Sequence, residues 1–214
     1  MNILKNLDKV KNNLNLKTKL VVVTKKCSIR EINQSIFLGV TDIGENKIKE
    51  AKEKKEQITY PVKWHMIGHL QSNKVKEAVK IFDMIQSVDS LKLAIKIDHK
   101  CKSLNKTIAV LIQVNIGKEP QKHGIKPEEI IFFLKEISNL KNIKVLGLMA
   151  MTPFIEAEKA RPYFKEMKNL FNKVKKEKIQ NIEMKYLSMG MTNDYEVAIE
   201  EGANMVRIGT AIFK

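Results

Sequence analysis

Cysteine, aromatic residues and long apolar runs are all scarce in this chain, and each scarcity removes a class of protein. Two cysteines in 214 residues, Cys27 and Cys101, supply neither a disulfide framework nor a C-x-x-C metal knuckle, so a reducing cytosol is the expected, cytoplasmic setting. No apolar run approaches the ~18 residues of a membrane-spanning helix. The opening MNILKNLDKVKNNLNLK also lacks the apolar centre of a signal peptide, so no membrane partner is expected. Aromatic residues make up 6% of the chain, too few for the stacking surface of a nucleic-acid binder. The net charge of +15 points the other way, but the lysines are spread over nearly every predicted helix face and form no single basic arm. No nucleic-acid partner is expected.

What the chain does have is an apolar fraction of 43%, enough for a proper core, and a length that suits one domain spanning residues 1–214. Short runs rich in valine and isoleucine alternate with amphipathic stretches of helical period. The predicted strands are Lys19–Thr24, Val40–Ile43, Val62–Ile67, Met84–Val88, Ile108–Asn115, Lys144–Ala150, Met184–Ser188 and Met205–Ile208. Helix signals fall between them. SIRE carries a capping box, with Ser28 at the N-cap and Glu31 three residues on. Gly39 and Gly202 close helices, and Pro127 opens one with Glu128 and Glu129 behind it. The longest helix is expected at about 156–178.

Eight strands alternating with seven helices imply a parallel sheet with right-handed crossovers. Closure into a (β/α)8 TIM barrel fits this count, with an open doubly wound sheet as the alternative. The eighth strand has no predicted helix after it, whereas the chain begins with an extra amphipathic helix at Ile3–Asn13. That N-terminal helix is expected to fill the gap.

Barrels of this kind place their chemistry at the carboxyl ends of the strands. The residues that follow the predicted strands are Lys25 after the first, Gly44-Glu45-Asn46 after the second, His65 near the end of the third, and Asn115 after the fifth. Met149 and Met151 belong to the sixth, the SMGMTND segment to the seventh, and Arg207, Gly209 and Thr210 to the eighth. Ser188, Gly190 and Thr192 run into a helix start near Asn193, where backbone N–H groups and small hydroxyls favour an anion. The amides of IGT offer a second set. Lys25, directly after LVVVT, is expected at the barrel mouth, partly desolvated and therefore available as a free amine. A reactive lysine, a phosphate cradle and an arginine on the last strand form the set that pyridoxal phosphate demands.

Several long stretches, in order, carry a resemblance over essentially the whole chain: VVVTKK, GEN, WHMIGHLQSNK, SVDS, QVNIGKEPQKHGI, GLMAM and SMGMTNDYEVAIEEGANMVRIGTAIF. The sequence resembles the pyridoxal-phosphate homeostasis proteins, and the barrel of alanine racemase without that enzyme's second domain. The resemblance implies that Lys25 is the Schiff-base lysine, that Asn46, Ser188, Gly209 and Thr210 contact the cofactor, and that Arg207 faces the pyridine nitrogen. It also implies a part in keeping vitamin B6 and amino-acid pools in balance without established turnover. A carrier or regulator of the cofactor is expected, with apo pyridoxal-phosphate enzymes as recipients, as a monomer or weak dimer. TKKC stands where the family usually has a serine before the lysine and a proline shortly after it, but Thr24 keeps the hydroxyl.

An always-protonated guanidinium at the ring nitrogen leaves the ring a poor electron sink, which disfavours transamination. A racemase, the alternative activity, needs acid/base groups on both faces of the substrate carbon. Lys25 supplies one; the other candidates, His65 and Tyr186, are expected to be a hydrogen-bonded rim residue and a core residue. No catalytic residue is therefore assigned, and His65, Met149, Gly190 and Thr192 join the expected cofactor contacts. His65 and His69 have H-x-x-x-H spacing, but the pattern places them on a strand and its loop, so no metal is expected.

Overall fold

The computed structural model describes residues 2–117, 119 and 123–214. Positions 118 and 120–122, within the QVNIGKEPQKHGI stretch, lie outside the described residues. Eight parallel strands close into a barrel in sequence order: β1 Lys19–Val23, β2 Asp42–Glu45, β3 Lys63–Met66, β4 Met84–Val88, β5 Ile108–Val114, β6 Ile143–Ala150, β7 Ile182–Ser188 and β8 Met205–Ile208. Closure is made by β1 against β8, with Lys19 opposite Met205 and Val21 opposite Arg207. The TIM barrel expected from the alternating pattern is the fold observed.

Most strands fall where the apolar runs predict them, but β2 starts and ends later than expected. The Val40 N–H is taken by the Ser35 carbonyl, which closes the preceding helix, so pairing begins only at Asp42. Gly44 and Glu45 therefore lie inside the strand and not after it. The helices are α1 Ile3–Asn12, α2 Ile29–Phe37, α3 Ile48–Lys55, α4 Val75–Ile81, α5 Leu91–Ser103, α6 Ile130–Ile137, α7 Ala157–Glu177, α8 Tyr195–Glu200 and α9 Thr210–Phe213. The Ser28–Glu31 capping box opens α2, and Gly39 closes it with φ at +87°.

The eighth strand is followed by a helix after all: α9, a single turn, which sequence reasoning did not expect. Four residues are too short to show a period. The N-terminal helix lies against this turn. Ile3, Leu7 and Val10, spaced to share one face, are buried, at about 1.5–3 kcal/mol each. Asn6 donates from its side chain to the carbonyls of Ile212 at 3.1 Å and Lys214 at 3.3 Å. Among the described residues, no helix is long and apolar enough to cross a membrane.

Two cores result. The larger lies between helices and strands, and a small one fills the barrel interior with Val21, Met84, Leu111, Met149 and Met205. The interior is not wholly apolar, because Asp42, His65, Gln86, Ser188 and Arg207 are buried there as well.

Candidate functional site

A cavity of about 690 Å³ opens at the carboxyl end of the barrel, where the loops after β1, β6, β7 and β8 meet. Lys25, Thr192, Arg207, Gly209 and Thr210 line it, beside the apolar lip of Phe154 and Ile155. Five of the expected residues, from opposite ends of the chain, thus share one space.

Lys25 sits in the turn after β1 and is exposed; the expected partial desolvation is absent. The strand ends at Val23, so the lysine two positions on projects into an open mouth. Its backbone, however, is firmly held. Lys54 Nζ, on α3, donates to the Thr24 carbonyl, to Glu45 Oε1 and to Glu50 Oε1, each at 2.6 Å. Glu50 Oε1 in turn accepts the Lys26 N–H at 2.6 Å. The peptide groups on both sides of Lys25 are therefore tied to one ammonium. Lys26 adopts left-handed backbone geometry, φ +62°, which turns the chain sharply just after Lys25. Thr24 is buried, and its hydroxyl donates to Glu45 Oε1 at 2.7 Å, a role for the hydroxyl retained at that position. Burial works to lower Lys54, but Glu45 and Glu50 override it and raise the ammonium above its ordinary value.

Arg207 enters from β8 and is 3% exposed. Its guanidinium donates to Ser188 Oγ at 2.7 Å and to the Ala150 carbonyl at 2.8 Å. Burial pulls it down to about 10, against the opposing pull of Asp194, so it stays protonated at neutral pH. From Ser188 a chain of hydrogen bonds runs back through the barrel. The Ser188 hydroxyl donates to Gln86 Oε1 at 2.7 Å, Gln86 Nε2 meets His65 Nδ1 at 2.9 Å, and His65 Nε2 meets Asp42 Oδ1 at 2.9 Å. Asp42 Oδ2 accepts from Lys19 at 2.9 Å and from Thr41 at 2.8 Å. Every bond is satisfied when His65 carries its single proton on Nε2. Burial would raise Asp42, but the donors from His65, Lys19 and Thr41 outweigh it and hold the carboxyl well below the usual range.

Other expected residues stand elsewhere. His65 is 2% exposed, inside the barrel and not on the rim, because the register pairs it with Gly44, one position short of the strand end. Met149 is fully buried in the interior cluster, since β6 continues past it to Ala150. Asn46 lines a neighbouring cavity with His69 and Lys74, where the chain turns from β2 towards α3. Gly190 has φ +91°, and a Cβ there would lie 2.6 Å from Ala198 Cβ; it serves the turn and the packing of α8. Gly209 does line the cavity, yet a side chain on it would meet the Val23 carbonyl at 2.8 Å. Its glycine is therefore required by the closeness of β1, and substitution there disturbs barrel closure as well as the cavity. Tyr186 lies by the loops that precede β1 and β2, at the opposite end of the barrel. Thr192 joins the last two loops, its Oγ1 accepting from the Ala211 N–H at 3.4 Å.

Sequence reasoning missed Lys54, Gln86 and Asp42. Gln86 and Asp42 left a signal, a large polar residue within a predicted strand. Lys54 left only the i,i+4 spacing from Glu50, which any solvated helix face also shows.

A parallel barrel carrying a lysine after its first strand and an arginine in its last places the molecule in a definite class. The alanine racemase N-terminal domain family model matches residues 1–214. Within that class the chain belongs to the pyridoxal phosphate homeostasis proteins: the relative of that name from Aquifex aeolicus is 39% identical over 197 residues, covering 91% of this chain and 86% of its own. The one from Synechocystis is 37% identical over 198 residues, covering 91% and 90%. PipY of Synechococcus elongatus, solved with PLP bound, superposes with a TM-score of 0.92 at 29% identity over the full length of both chains. Alanine racemase of Clostridium difficile shares the fold, with a TM-score of 0.80 at 19% identity, 99% of this chain covering 55% of that one.

Proposed function

We propose that this protein binds pyridoxal 5'-phosphate in the mouth cavity, with Lys25 supplying the amine that captures its aldehyde, and acts as a carrier or regulator of the cofactor without strong turnover. The observation that carries this reading is the shared cavity of Lys25, Arg207, Thr192 and Thr210. Its donor set answers the three demands of the cofactor: an amine for the aldehyde, a fixed cation for the ring nitrogen, and hydroxyls with backbone amides for the phosphate. The name of the relatives and the PLP-bound PipY structure support the same choice. When bound, the cofactor supplies a captured aldehyde and a ring that draws electrons from whatever is attached to it.

The protein's own groups favour retention over turnover. Arg207 keeps its proton at neutral pH, so it can donate a hydrogen bond to the ring nitrogen but does not surrender a proton to it. A racemase needs a second acid/base group across from Lys25. Of the two candidates, His65 has both ring nitrogens engaged inside the barrel and Tyr186 stands at its far end. The carboxylates on the cavity wall are committed, Glu31 to Ser28 and Asp194 to Thr152 and the Met191 N–H. Burial, with Glu31 beside it, pushes the Cys27 thiol up to about 11, so it is neutral and unreactive at physiological pH.

Borohydride reduction of the loaded protein followed by peptide mapping should place the cofactor's mass on Lys25. Deuterium exchange at Cα of alanine or serine should stay near the rate given by free cofactor, while transfer to an added apo-enzyme is measurable. Label on Lys26, or rapid Lys25-dependent racemisation, would overturn the assignment or the carrier reading respectively.

A further inference from the structure

On the rim formed by the loops after β3, β4 and β5, three side chains that play no part in the lysine cavity turn towards one another. His69 Nδ1 lies 3.1 Å from Asp89 Oδ2, and His123 Nδ1 lies 3.6 Å from the same oxygen. The two imidazoles are stacked, with centroids 3.6 Å apart and planes 9° from parallel. The ligand atoms of all three residues fall within 4.8 Å of one another. We propose that His69, Asp89 and His123 form a binding site for a divalent transition-metal ion, zinc or one of similar ligand preference.

The chemistry selects the ion class. Two imidazoles and one carboxylate suit zinc, cobalt, nickel or copper, whereas magnesium and calcium prefer oxygen throughout. Tetrahedral bonds of about 2.0–2.1 Å put donor atoms roughly 3.3 Å apart, between the two separations observed here. Stacked, nearly parallel rings hold their in-plane lone pairs in planes that do not meet at the site, so one imidazole must rotate out of the stack to converge on an ion. Both rings are free to do so, at 40% and 56% exposed, while Asp89 at 9% is the fixed point. The backbone around the site is anchored. Ser90 caps α5 immediately after Asp89, Gln113 donates to the His123 carbonyl at 3.0 Å, and Leu70 beside His69 is buried. The remaining coordination positions face solvent and would hold water, so an ion here clasps three loops.

The spacing considered from sequence, His65 with His69, is not this site. His65 is turned into the barrel, and the partners of His69 come from the loops after β4 and β5.

The test uses untagged, cofactor-loaded protein stripped with a chelator, titrated with Zn(II) by calorimetry and with Co(II) by its visible d–d bands. One ion per chain is expected. His69→Ala, His123→Ala and Asp89→Asn should each weaken binding by about tenfold or more, as loss of a ligand does, with the cofactor's absorbance unchanged. Lys25→Ala should bind the ion as the unaltered protein does, which separates this site from metal held by the cofactor. Absence of binding at a tenfold molar excess, or unaltered affinity in all three ligand variants, would overturn the proposal.

Discussion

Lys54 Nζ donates to the Thr24 carbonyl at 2.6 Å, joining α3 to the turn that carries Lys25. The same ammonium holds Glu50, which holds the Lys26 N–H, so one buried cation orients the peptide groups on both sides of Lys25. Lys54→Met should leave Glu45 buried without its counter-charge and destabilise the fold by about 3 kcal/mol, read from denaturant unfolding. Cofactor affinity should fall about tenfold, read from the imine absorbance, although Lys54 does not line the cavity. Because the ammonium is raised in the folded state, its contribution persists through neutral pH and disappears only above the ordinary lysine value of 10.5. Unchanged affinity in a variant that folds would remove the positioning role.

Asp42 provides the acid-side counterpart. Its carboxyl is depressed in the folded state, so its contribution is present above the ordinary value of 3.8 and is lost as the pH falls towards the folded value. Asp42→Asn should cost about 2 kcal/mol at pH 7, the range for hydrogen bonds to a charged group. The gap between variant and parent should narrow below pH 3.8. Denaturant curves at both pH values decide it; a constant gap would mean that packing and not charge is responsible.

Gln86 is the middle of the chain between Arg207 and Asp42. Gln86→Leu should leave the Ser188 hydroxyl without an acceptor and His65 Nδ1 without a donor, at about 1–3 kcal/mol each. It should also loosen Arg207, since Ser188 would be free to turn away. The expected signature is a shifted absorbance maximum of the bound cofactor, together with a lower midpoint of thermal unfolding. A variant as stable as the parent would show that the interior chain contributes nothing.

The proposed phosphate contact is tested best at the threonines, because Gly209 also serves barrel closure. Pyridoxal should bind at least tenfold more weakly than its phosphate ester, a difference of about 1.4 kcal/mol. Thr192→Val and Thr210→Val should each narrow that gap by weakening only the phosphorylated form. Equal affinity of the unaltered protein for both vitamers would remove the cradle.

Much of the molecule was legible one residue at a time. Strand runs, the Ser28–Glu31 box, the stop at Gly39 and the length of α7 follow from local period and capping, which act between residues a few positions apart. Lys25, Thr192, Arg207, Gly209 and Thr210 were legible too, because a parallel barrel brings the ends of its strands to one rim wherever they fall in the chain. The start of β2 was not, since the Val40 N–H is claimed by the preceding helix and a pattern of apolar residues does not record that competition.

Local pattern thus sets the alternation of strand and helix and the order in which the cavity-lining residues reach the mouth. Which polar groups are buried, and with whom, follows from closure of the barrel. Nothing local distinguishes Lys54 from the other lysines of an abundantly basic chain, and Gln86 meets His65 and Ser188 across 21 and 102 positions. Hydrogen bonds and ion pairs form between groups that closure makes adjacent, and a closed barrel sets adjacency by strand register, not by distance along the chain.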